Sequence, residues 1–433
     1  MSEDLSSRTF CVFDHFGLFV GLAQRLSESG ARVLYCTPVD RYDRITEAAV
    51  GEGLKGIEHV EEFWKYKSEI DCFVFPDIRH SGLQSELRSQ GLPVWGSHDG
   101  MELEQARIFF LKKLDELGLD VPPYQVIVGM TNLGLFLKDK KDIWIKTSKW
   151  RGTWETTHWR DWKKDHQRLD YWSVKYGGLK EQIKFICFEK IETDLEIGAD
   201  TYCVDGQWPS HMLHGIERKD AAYFSAVTER EKMPEQLLPI MEALSPYLKE
   251  VGYRNQWSME VRVTKDKNYF IDATCRGGLP STNSFLAAKN VAEVIYYGAR
   301  GEFVEIDYGF KFSAECMVNA KADSDTWISL ELDPKVRANF LAQQCCEEDG
   351  LLWYPPLDGG GNNLGWLRSV GNTPKEVLEN MNKLADALPD GVDAQVEELA
   401  DVIREIASEQ DQGIHFTDAP MPEPSVVLEP SKK

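Results

Sequence analysis

The chain has 433 residues, of which 71 are acidic and 49 are lysine or arginine, and its formal net charge is −22. This charge disfavours nucleic acid and anionic membranes as partners, because both require positively charged surfaces. No apolar run approaches the roughly 18 residues of a membrane-spanning helix. The acidic start, Met1-Ser2-Glu3-Asp4, lacks the basic and then apolar pattern of a secretory signal. We therefore expect a soluble, cytoplasmic protein.

The nine cysteines are scattered along the chain and form no C-x-x-C pair. Zinc sites and thioredoxin-like chemistry require such spacings, so the pattern favours buried, reduced thiols.

The first hundred residues alternate short apolar strands with helical patterns. Strands are predicted at 10–13, 32–36, 72–75 and 93–95, and an amphipathic helix is predicted at 18–29. Strands separated by helices indicate βαβ units and a parallel sheet. The turn after the first strand, Asp14-His15-Phe16-Gly17, is not a G-x-G-x-x-G loop, which weakens the alternative of a Rossmann-type dehydrogenase.

The middle of the chain has a different, α+β pattern. One continuous amphipathic helix is predicted over 102–118, and a strand-rich region follows it up to about residue 274, with helices near 161–176 and 234–251. A third section begins near 311 and ends with helices at 374–387 and 394–408. We expect a glycine-rich turn at 356–363 and, because four of its residues are prolines, a disordered tail at 417–433.

The segment 258–278 carries the residues most suggestive of chemistry. Two alternating strands flank the polar turn Asp266-Lys267-Asn268, which is typical of a hairpin. A three-residue turn centred on Lys267 would pair Glu260 with Thr274 and Arg262 with Asp272, leaving Glu260 and Asp272 as diagonal neighbours. Their carboxylates would then suit one or two cations, and Arg276 a phosphate. The alternative is an exposed hairpin whose charges serve solubility.

Two further segments have features of a nucleotide site. Lys146 lies inside the apolar strand 143–147, where a lone charge is costly unless an anion pairs with it. The basic loop 148–153 follows, and its arginine, lysine and glycine suit a polyphosphate. Alternatively, Lys146 is a strand-end lysine whose ammonium group reaches water. The hydrophobic strand 183–188 ends in Glu189-Lys190-Ile191, a position suited to reading a purine edge.

Taken in order, these residues resemble the ATP-grasp superfamily, and the resemblance covers most of the chain. Its elements are Leu103-Glu104-Gln105-Ala106-Arg107, the Lys146 strand, Glu189-Lys190, and Glu260 followed by Asp272-Ala273-Thr274-Cys275-Arg276. The segment Gly371-Asn372-Thr373-Pro374-Lys375-Glu376-Val377 resembles the C-terminal domain of the glycinamide ribonucleotide synthetase family. The resemblance implies an α/β and α+β fold: an N-terminal parallel-sheet pre-grasp domain (1–100), an ATP-grasp domain (101–310) and a C-terminal α+β domain (311–416).

The resemblance also implies roles for individual residues. Those assigned to ATP are Arg107, Lys146, Glu189, Lys190, Ile191 and Glu196, of which Glu196 would contact the ribose. Glu260, Asp272 and Thr274 would hold Mg²⁺ or Mn²⁺, and Arg276 would stabilise the transferred phosphoryl group. The implied activity is an ATP-dependent carboxylate–amine or carboxylate–thiol ligase that forms an acyl phosphate and releases ADP and phosphate. Its partners would be small-molecule carboxylate and amine substrates, and the enzyme would be a monomer or a homodimer.

The sequence departs from the synthetase pattern where the substrate would bind. Only Gly17 remains of a glycine-rich first loop, and Gly277-Gly278-Leu279-Pro280 replaces the family's G-D-P-E. We therefore expect a different substrate, with Gly17, His214 and Lys219 as candidate contacts and an imidazole such as that of His214 as proton acceptor. The alternative for the histidine segment is a surface loop without a role.

Thirteen tryptophans, six of them between residues 144 and 172, suggest an aromatic platform for a ring-bearing substrate, although packing explains most of them more simply. A second hypothesis for the whole chain is a degenerate ATP-grasp protein that binds nucleotide or a partner without ligation.

Overall fold

The computed structural model describes residues 4–37, 49–149, 156–193, 195–321, 326–355 and 363–428. Its N-terminal part is a five-stranded parallel sheet in the order β3-β2-β1-β4-β5. The parallel sheet predicted from the alternating pattern is confirmed. The elements are β1 (Thr9–Phe13), α1 (Val20–Ser27), β2 (Arg32–Cys36), β3 (Glu58–His59), β4 (Cys72–Val74), α2 (Ser81–Ser89) and β5 (Val94–Trp95), with 3₁₀ helices at Leu5–Ser7, Phe63–Glu69 and His98–Met101.

The helix predicted over 102–118 is interrupted. It forms two helices, α3 (Glu102–Gln105) and α4 (Arg107–Glu116), separated by Ala106 with φ −122° and ψ 79°. The prediction of one continuous helix is therefore wrong. The break has a physical reason, because Ala106 forms a β-bridge to Lys149 and the Arg107 N–H donates to the Ser148 carbonyl at 3.2 Å. Hydrophobic periodicity cannot reveal a partner that lies 40 residues away in sequence.

A small antiparallel sheet follows, in the order β6-β9-β7-β8. Its helices bury one face of the sheet, where Met130 and Leu133 pack with Ile145 and Trp172. Side chains of the alternate positions therefore face the other way. The elements are β6 (Tyr124–Val128), α5 (Met130–Leu137), β7 (Ile143–Thr147), β8 (Thr156–Trp159), α6 (Trp162–Asp165), α7 (Gln167–Tyr176) and β9 (Lys184–Glu189), with a 3₁₀ helix at Gly177–Leu179.

The largest sheet has nine antiparallel strands in the order β14-β13-β10-β11-β12-β15-β20-β17, with β21 also paired to β15. Strand β12 lies before the domain boundary predicted at residue 310 and β15 lies after it, and the two strands pair within this one sheet. Its strands are β10 (Glu196–Val204), β11 (His211–Arg218), β12 (Ala222–Glu229), β13 (Arg254–Val263), β14 (Asn268–Thr274), β15 (Phe312–Ala320), β17 (Phe340–Ala342), β20 (Asn363–Gly371) and β21 (Val392–Ala394).

The remaining elements cover the large sheet and extend it. A three-stranded sheet contains β16 (Ile328–Leu330), β18 (Cys346–Glu348) and β19 (Leu351–Tyr354). The helices are α8 (Leu238–Glu250), α9 (Ser281–Leu286), α10 (Val291–Gly298), α11 (Pro334–Arg337), α12 (Pro374–Asp386), α13 (Glu398–Asp411) and α14 (Ser425–Leu428), with a 3₁₀ helix at Arg230–Lys232. The tail from residue 417 was predicted to be disordered. The structure instead contains helix α14 there, and the Asn382 side-chain amide donates a hydrogen bond to the Val426 carbonyl at 2.8 Å.

Among the described residues, the two largest hydrophobic clusters join these layers. One joins the N-terminal sheet to β15, β20, α12 and α13, and the other packs α4 and α8 beneath β13 and β14. All nine cysteines are free thiols and eight are buried, as predicted. Within the described ranges, no helix has both the length and the apolar character needed to cross a bilayer.

A buried carboxyl group lies at the centre of the large sheet. Glu315 on β15 is fully buried and accepts a hydrogen bond from the Ser284 hydroxyl, with Arg368 opposite it on β20. Burial raises the pKa of Glu315 to about 8, although Ser284, Asn283 and Arg368 partly oppose the shift. The folded protein therefore holds a proton at Glu315 that the unfolded chain releases near its ordinary value of 4.5.

We predict that Glu315→Gln flattens the pH dependence of stability. A raised carboxyl pKa favours the folded state below the unfolded pKa, and this contribution is lost as pH rises from about 4.5 to about 8. Wild-type unfolding free energy should therefore fall over this window, by up to about 1.4 kcal/mol per pH unit from this group. Urea denaturation at pH 5 to 8.5 measures it. Exposed Glu331→Gln is the control, and an unchanged slope in Glu315→Gln would contradict the assignment.

Candidate active site

The β13–β14 hairpin places two carboxylates directly opposite each other. Glu260 pairs with Asp272 and Ser258 pairs with Thr274. The predicted register, with Glu260 opposite Thr274 and Arg262 opposite Asp272, is wrong. The turn spans four residues, 264–267, and an irregularity after Glu260 adds one residue on β14. The two side chains consequently come closer than the predicted diagonal pair, with Cβ atoms roughly 5 Å apart.

Asp272 is held by two cationic side chains from separate elements. The Arg107 Nη2 atom lies 2.6 Å from the Asp272 Oδ1 atom, and the Lys146 Nζ atom lies 3.8 Å from it. Arg107 is 3% exposed and also donates from Nη1 to the Ile271 carbonyl at 3.1 Å. Burial raises the pKa of Asp272, but the charges of Arg107 and Lys146 and the Arg107 hydrogen bond outweigh it, so the net pKa is lowered. Asp272 is therefore an ionised carboxylate.

Glu260 has the opposite electrostatic environment. Loss of solvent in the cleft raises its pKa to about 8, repulsion from Asp272, Glu196 and Glu217 adds to the shift, and Lys146 opposes it, although the Glu260 side chain keeps an exposed surface. The pKa values of the two adjacent carboxyl groups are thus shifted in opposite directions, down for Asp272 and up for Glu260. Neighbouring groups with separated pKa values are common at functional sites.

The carboxylate pair fits a hard divalent cation. Mg²⁺ is bound in proteins by one or two carboxylates, and phosphate oxygens and water complete its shell. Glu260 and Asp272 supply two carboxylates, and the Thr274 hydroxyl lies on the same face of β14. Within the described ranges, no group of three or more histidine, cysteine or acidic side chains forms a complete metal site. The donor set therefore suits a cation that arrives with a phosphate ligand.

Arg276 is positioned by two acidic side chains. Its Nε atom lies 3.0 Å from the Glu104 Oε1 atom and 3.7 Å from the Asp77 Oδ1 atom. Glu104 is 6% exposed and also accepts from the Cys275 N–H at 2.7 Å. Burial raises the pKa of Glu104 to about 6, although Arg276 and the Cys275 N–H lower it. The sequence alone assigned Glu104 no role, because its importance depends on tertiary contacts with Cys275 and Arg276.

A cleft of about 860 Å³, including space open to solvent, separates the small sheet from β10, β13 and β14 of the large sheet. Five of the residues predicted to bind ATP line this cleft: Arg107, Lys146, Glu189, Ile191 and Glu196. The predicted metal ligand Glu260 lines it as well. Lys190 forms an ion pair with Glu192 at 3.2 Å.

Glu196, the predicted ribose contact, is paired within the large sheet. It lies opposite Arg262, and the Arg262 Nε atom donates to its Oε2 atom at 2.8 Å. Both side chains line the cleft. A ribose hydroxyl would therefore meet a carboxylate that already has one charged partner.

The three candidate substrate residues lie apart from this cleft. Gly17 is buried, with φ +70°, and a Cβ atom there would lie 2.9 Å from Val50 Cγ1, so packing explains this glycine. His214 is fully buried, and its ring lies 4.8 Å from that of Phe416. Burial, with a smaller effect of His415, lowers the pKa of His214 to about 4. This environment argues against the predicted proton acceptor. Lys219 lies in the exposed turn between β11 and β12.

Two predicted loops lie partly outside the described residues. The parts outside are residues 150–153 of the basic loop and residues 356–362 of the predicted glycine-rich turn. Ser148 and Lys149, at the start of the basic loop, form the backbone contacts to Arg107 and Ala106.

Comparison with known proteins supports this architecture. No family model and no curated protein sequence matches the chain. The phosphoribosylamine–glycine ligase of Thermotoga maritima superposes with a TM-score of 0.64 at 15% identity, covering 89% of this chain and 98% of that one. The biotin carboxylase of Campylobacter jejuni gives 0.61 at 13% identity, over 90% and 93%. The L-amino acid ligase of Bacillus licheniformis gives 0.57 at 12%, over 90% and 99%.

These enzymes share the ATP-grasp fold, and the chain described here has that fold too. The resemblance predicted from the order of Lys146, Glu260, Asp272 and Arg276 is confirmed at the level of architecture. At such low identity the likeness establishes the fold, while the chemistry depends on the side chains.

We predict that Glu104→Ala destabilises the protein by about 3 kcal/mol. Removing this buried carboxylate leaves the partly buried Arg276 without its nearest anion and the Cys275 N–H without an acceptor. Glu104→Gln should cost less, because an amide oxygen can still accept from Cys275. Denaturant unfolding measures both, and the exposed neighbour Glu102→Ala serves as control. Equal stability of Glu104→Ala and Glu102→Ala would contradict the positioning role.

Proposed function

We propose that this chain is an ATP-dependent ligase that joins a small-molecule carboxylate to an amine, or to a thiol, through an acyl phosphate. The observation that carries the proposal is the convergence of Arg107 and Lys146 on Asp272, within a cleft between two sheets of an ATP-grasp fold. The similar structures include a phosphoribosylamine–glycine ligase and an L-amino acid ligase.

The cationic side chains suit the triphosphate. Lys146 and Arg107 line the cleft, and in the protein alone their charges are balanced by Asp272. A polyphosphate entering beside Asp272 brings negative charge that both cations can share. Such pre-positioned cations stabilise charge that moves between oxygens during phosphoryl transfer.

Glu260, Asp272 and Thr274 would hold Mg²⁺ or Mn²⁺, which when bound neutralises phosphate charge. A ligand carboxylate must be deprotonated, so the raised pKa of Glu260 makes its part in metal binding depend on pH. The pKa of Asp272 is lowered, so this carboxylate is charged at lower pH. The two carboxylates therefore differ in how readily they bind a cation.

The reaction needs no protein nucleophile. An oxygen of the substrate carboxylate attacks the γ-phosphorus of ATP, the bond to the β–γ bridging oxygen breaks, and ADP leaves with that electron pair. The amine then attacks the acyl carbon, phosphate departs with the bridging oxygen, and the amine loses a proton to solvent. Positioning and charge neutralisation supply the rate enhancement. Arg276, fixed by Glu104 and Asp77, would stabilise the transferred phosphoryl group.

We predict that Asp272→Asn abolishes ATP turnover while the protein stays folded. The amide keeps the size of the side chain but removes the charge that faces Arg107, Lys146 and the cation. Phosphate release in the presence of Mg-ATP and pools of carboxylates and amines is the assay. Asp266→Asn, in the exposed turn of the same hairpin, should keep wild-type turnover. Intact turnover in Asp272→Asn would overturn the assignment.

Thermal unfolding separates ligation from nucleotide binding alone. Ligand at about a hundredfold its dissociation constant adds about 2.7 kcal/mol to the stability of the folded state. A Mg-dependent rise in Tm with ATP, without turnover of any carboxylate and amine, would favour the degenerate hypothesis. The absence of any rise would contradict the nucleotide site itself.

A further inference from the structure

Four ring-bearing side chains form a row across the small sheet. The strand registers place Tyr124 opposite Phe188, Phe188 opposite Trp144, and Trp144 opposite His158. Residues that are directly opposite in neighbouring strands share a face of the sheet. All four are partly exposed, whereas the opposite face carries the hydrophobic core with α5 and α7. We call these four side chains the aromatic row.

Trp144 is the member of the row best placed to meet a ligand. Its ring stacks on His158, with centroids 4.6 Å apart and planes 11° apart, which fixes the orientation of the indole. It lines the cleft, as Phe188 does. By contrast, Trp159 is fully buried and Trp172 is 9% exposed, so packing accounts for these two tryptophans.

The geometry also sets the distance between the indole and the phosphate-binding cations. Trp144 and Lys146 lie two residues apart on β7, so they project from the same face with Cα atoms roughly 6.6 Å apart. A nucleoside has its base and its phosphates separated by one sugar. A nucleotide with its phosphates at Lys146 therefore brings its base to Trp144.

The elements across from the small sheet also give the cleft apolar lining residues. These are Leu111 of α4 and Phe270 and Ile271 of β14, beside the charged Glu260 and Arg262 of β13. A flat aromatic ring held between an indole and apolar side chains buries both of its faces, and its edge stays free for polar lining groups such as Glu189.

We propose that Trp144 is the stacking platform for the base of the bound nucleotide, and that His158 holds the indole in place. This inference rests on the proposed function, since it requires a nucleotide in the cleft. Stacking on an aromatic face is available to every base, because every base has a π-face. Trp144 therefore contributes affinity for the nucleoside part of the ligand and none for the polyphosphate.

Calorimetric titration of Mg-ATP and of Mg-tripolyphosphate tests this division. Trp144→Leu should weaken ATP binding by about five- to a hundredfold and leave tripolyphosphate binding unchanged, because only ATP has a base to stack. Trp327→Leu, which removes a tryptophan that is 43% exposed, is the matched control and should bind both ligands as wild type does. ATP binding by Trp144→Leu at wild-type affinity would overturn the inference.

A second variant keeps the test decisive if Trp144→Leu does not fold. Trp144→Phe retains a ring, so it should bind ATP within a few fold of wild type, but it should lose the part of the ATP-induced quenching of tryptophan fluorescence that Trp144 provides. Undiminished quenching in Trp144→Phe would contradict the stacking role. Wild-type protein that binds neither ATP nor tripolyphosphate would instead refute the proposed function, so the two failures are distinguishable.

Discussion

The Asp272 carboxylate is the point on which the candidate site depends. It brings Arg107 at the start of α4 and Lys146 on β7 to one atom at the end of β14, so three distant chain segments converge there. Arg107 is almost fully buried, and a buried guanidinium is tolerated only when it is paired. Desolvation and repulsion from the same carboxylate raise the pKa of Glu260. Asp272 thus takes part in every charge interaction of the candidate site.

The surrounding architecture serves to hold these groups. The helix is interrupted at Ala106, and α4 begins at Arg107. The Arg107 N–H there donates to the carbonyl of Ser148, the residue that follows β7. Directly after β14, the Glu104 carboxylate of α3 accepts hydrogen bonds from the Cys275 N–H and from Arg276 Nε. One short helical segment therefore positions both the cation beside the carboxylate pair and the arginine beyond it.

Much of the fold could be predicted from the sequence because it is encoded locally. The alternation of apolar residues around Lys146, and the polar turn before Asp272, predicted β7 and the hairpin with nearly correct bounds. The pairing of Glu260 with Asp272 was not predictable, because it depends on a four-residue turn and a local irregularity in the ladder. The β11–β12 hairpin was likewise not predicted as a strand pair, and His214, predicted as a candidate substrate contact, lies in the core.

The site residues divide in the same way. Lys146 was recognisable because a charge inside an apolar strand is costly when unpaired, and Asp272 because the alternating hairpin pattern placed it near Glu260. Glu104 and Trp144 owe their importance to tertiary contacts with Arg276 and His158, which no spacing along the chain reveals. Gly17 was selected for a substrate but is explained by the close approach of Val50.

A crystal structure with Mg²⁺ and a non-hydrolysable ATP analogue would show whether a Mg-bound nucleotide occupies the cleft beside Asp272. We expect phosphate oxygens beside Lys146 and Arg107, with a metal ion contacting Glu260 and Asp272. A nucleotide bound elsewhere, or phosphates that leave the carboxylate pair without a metal, would contradict it.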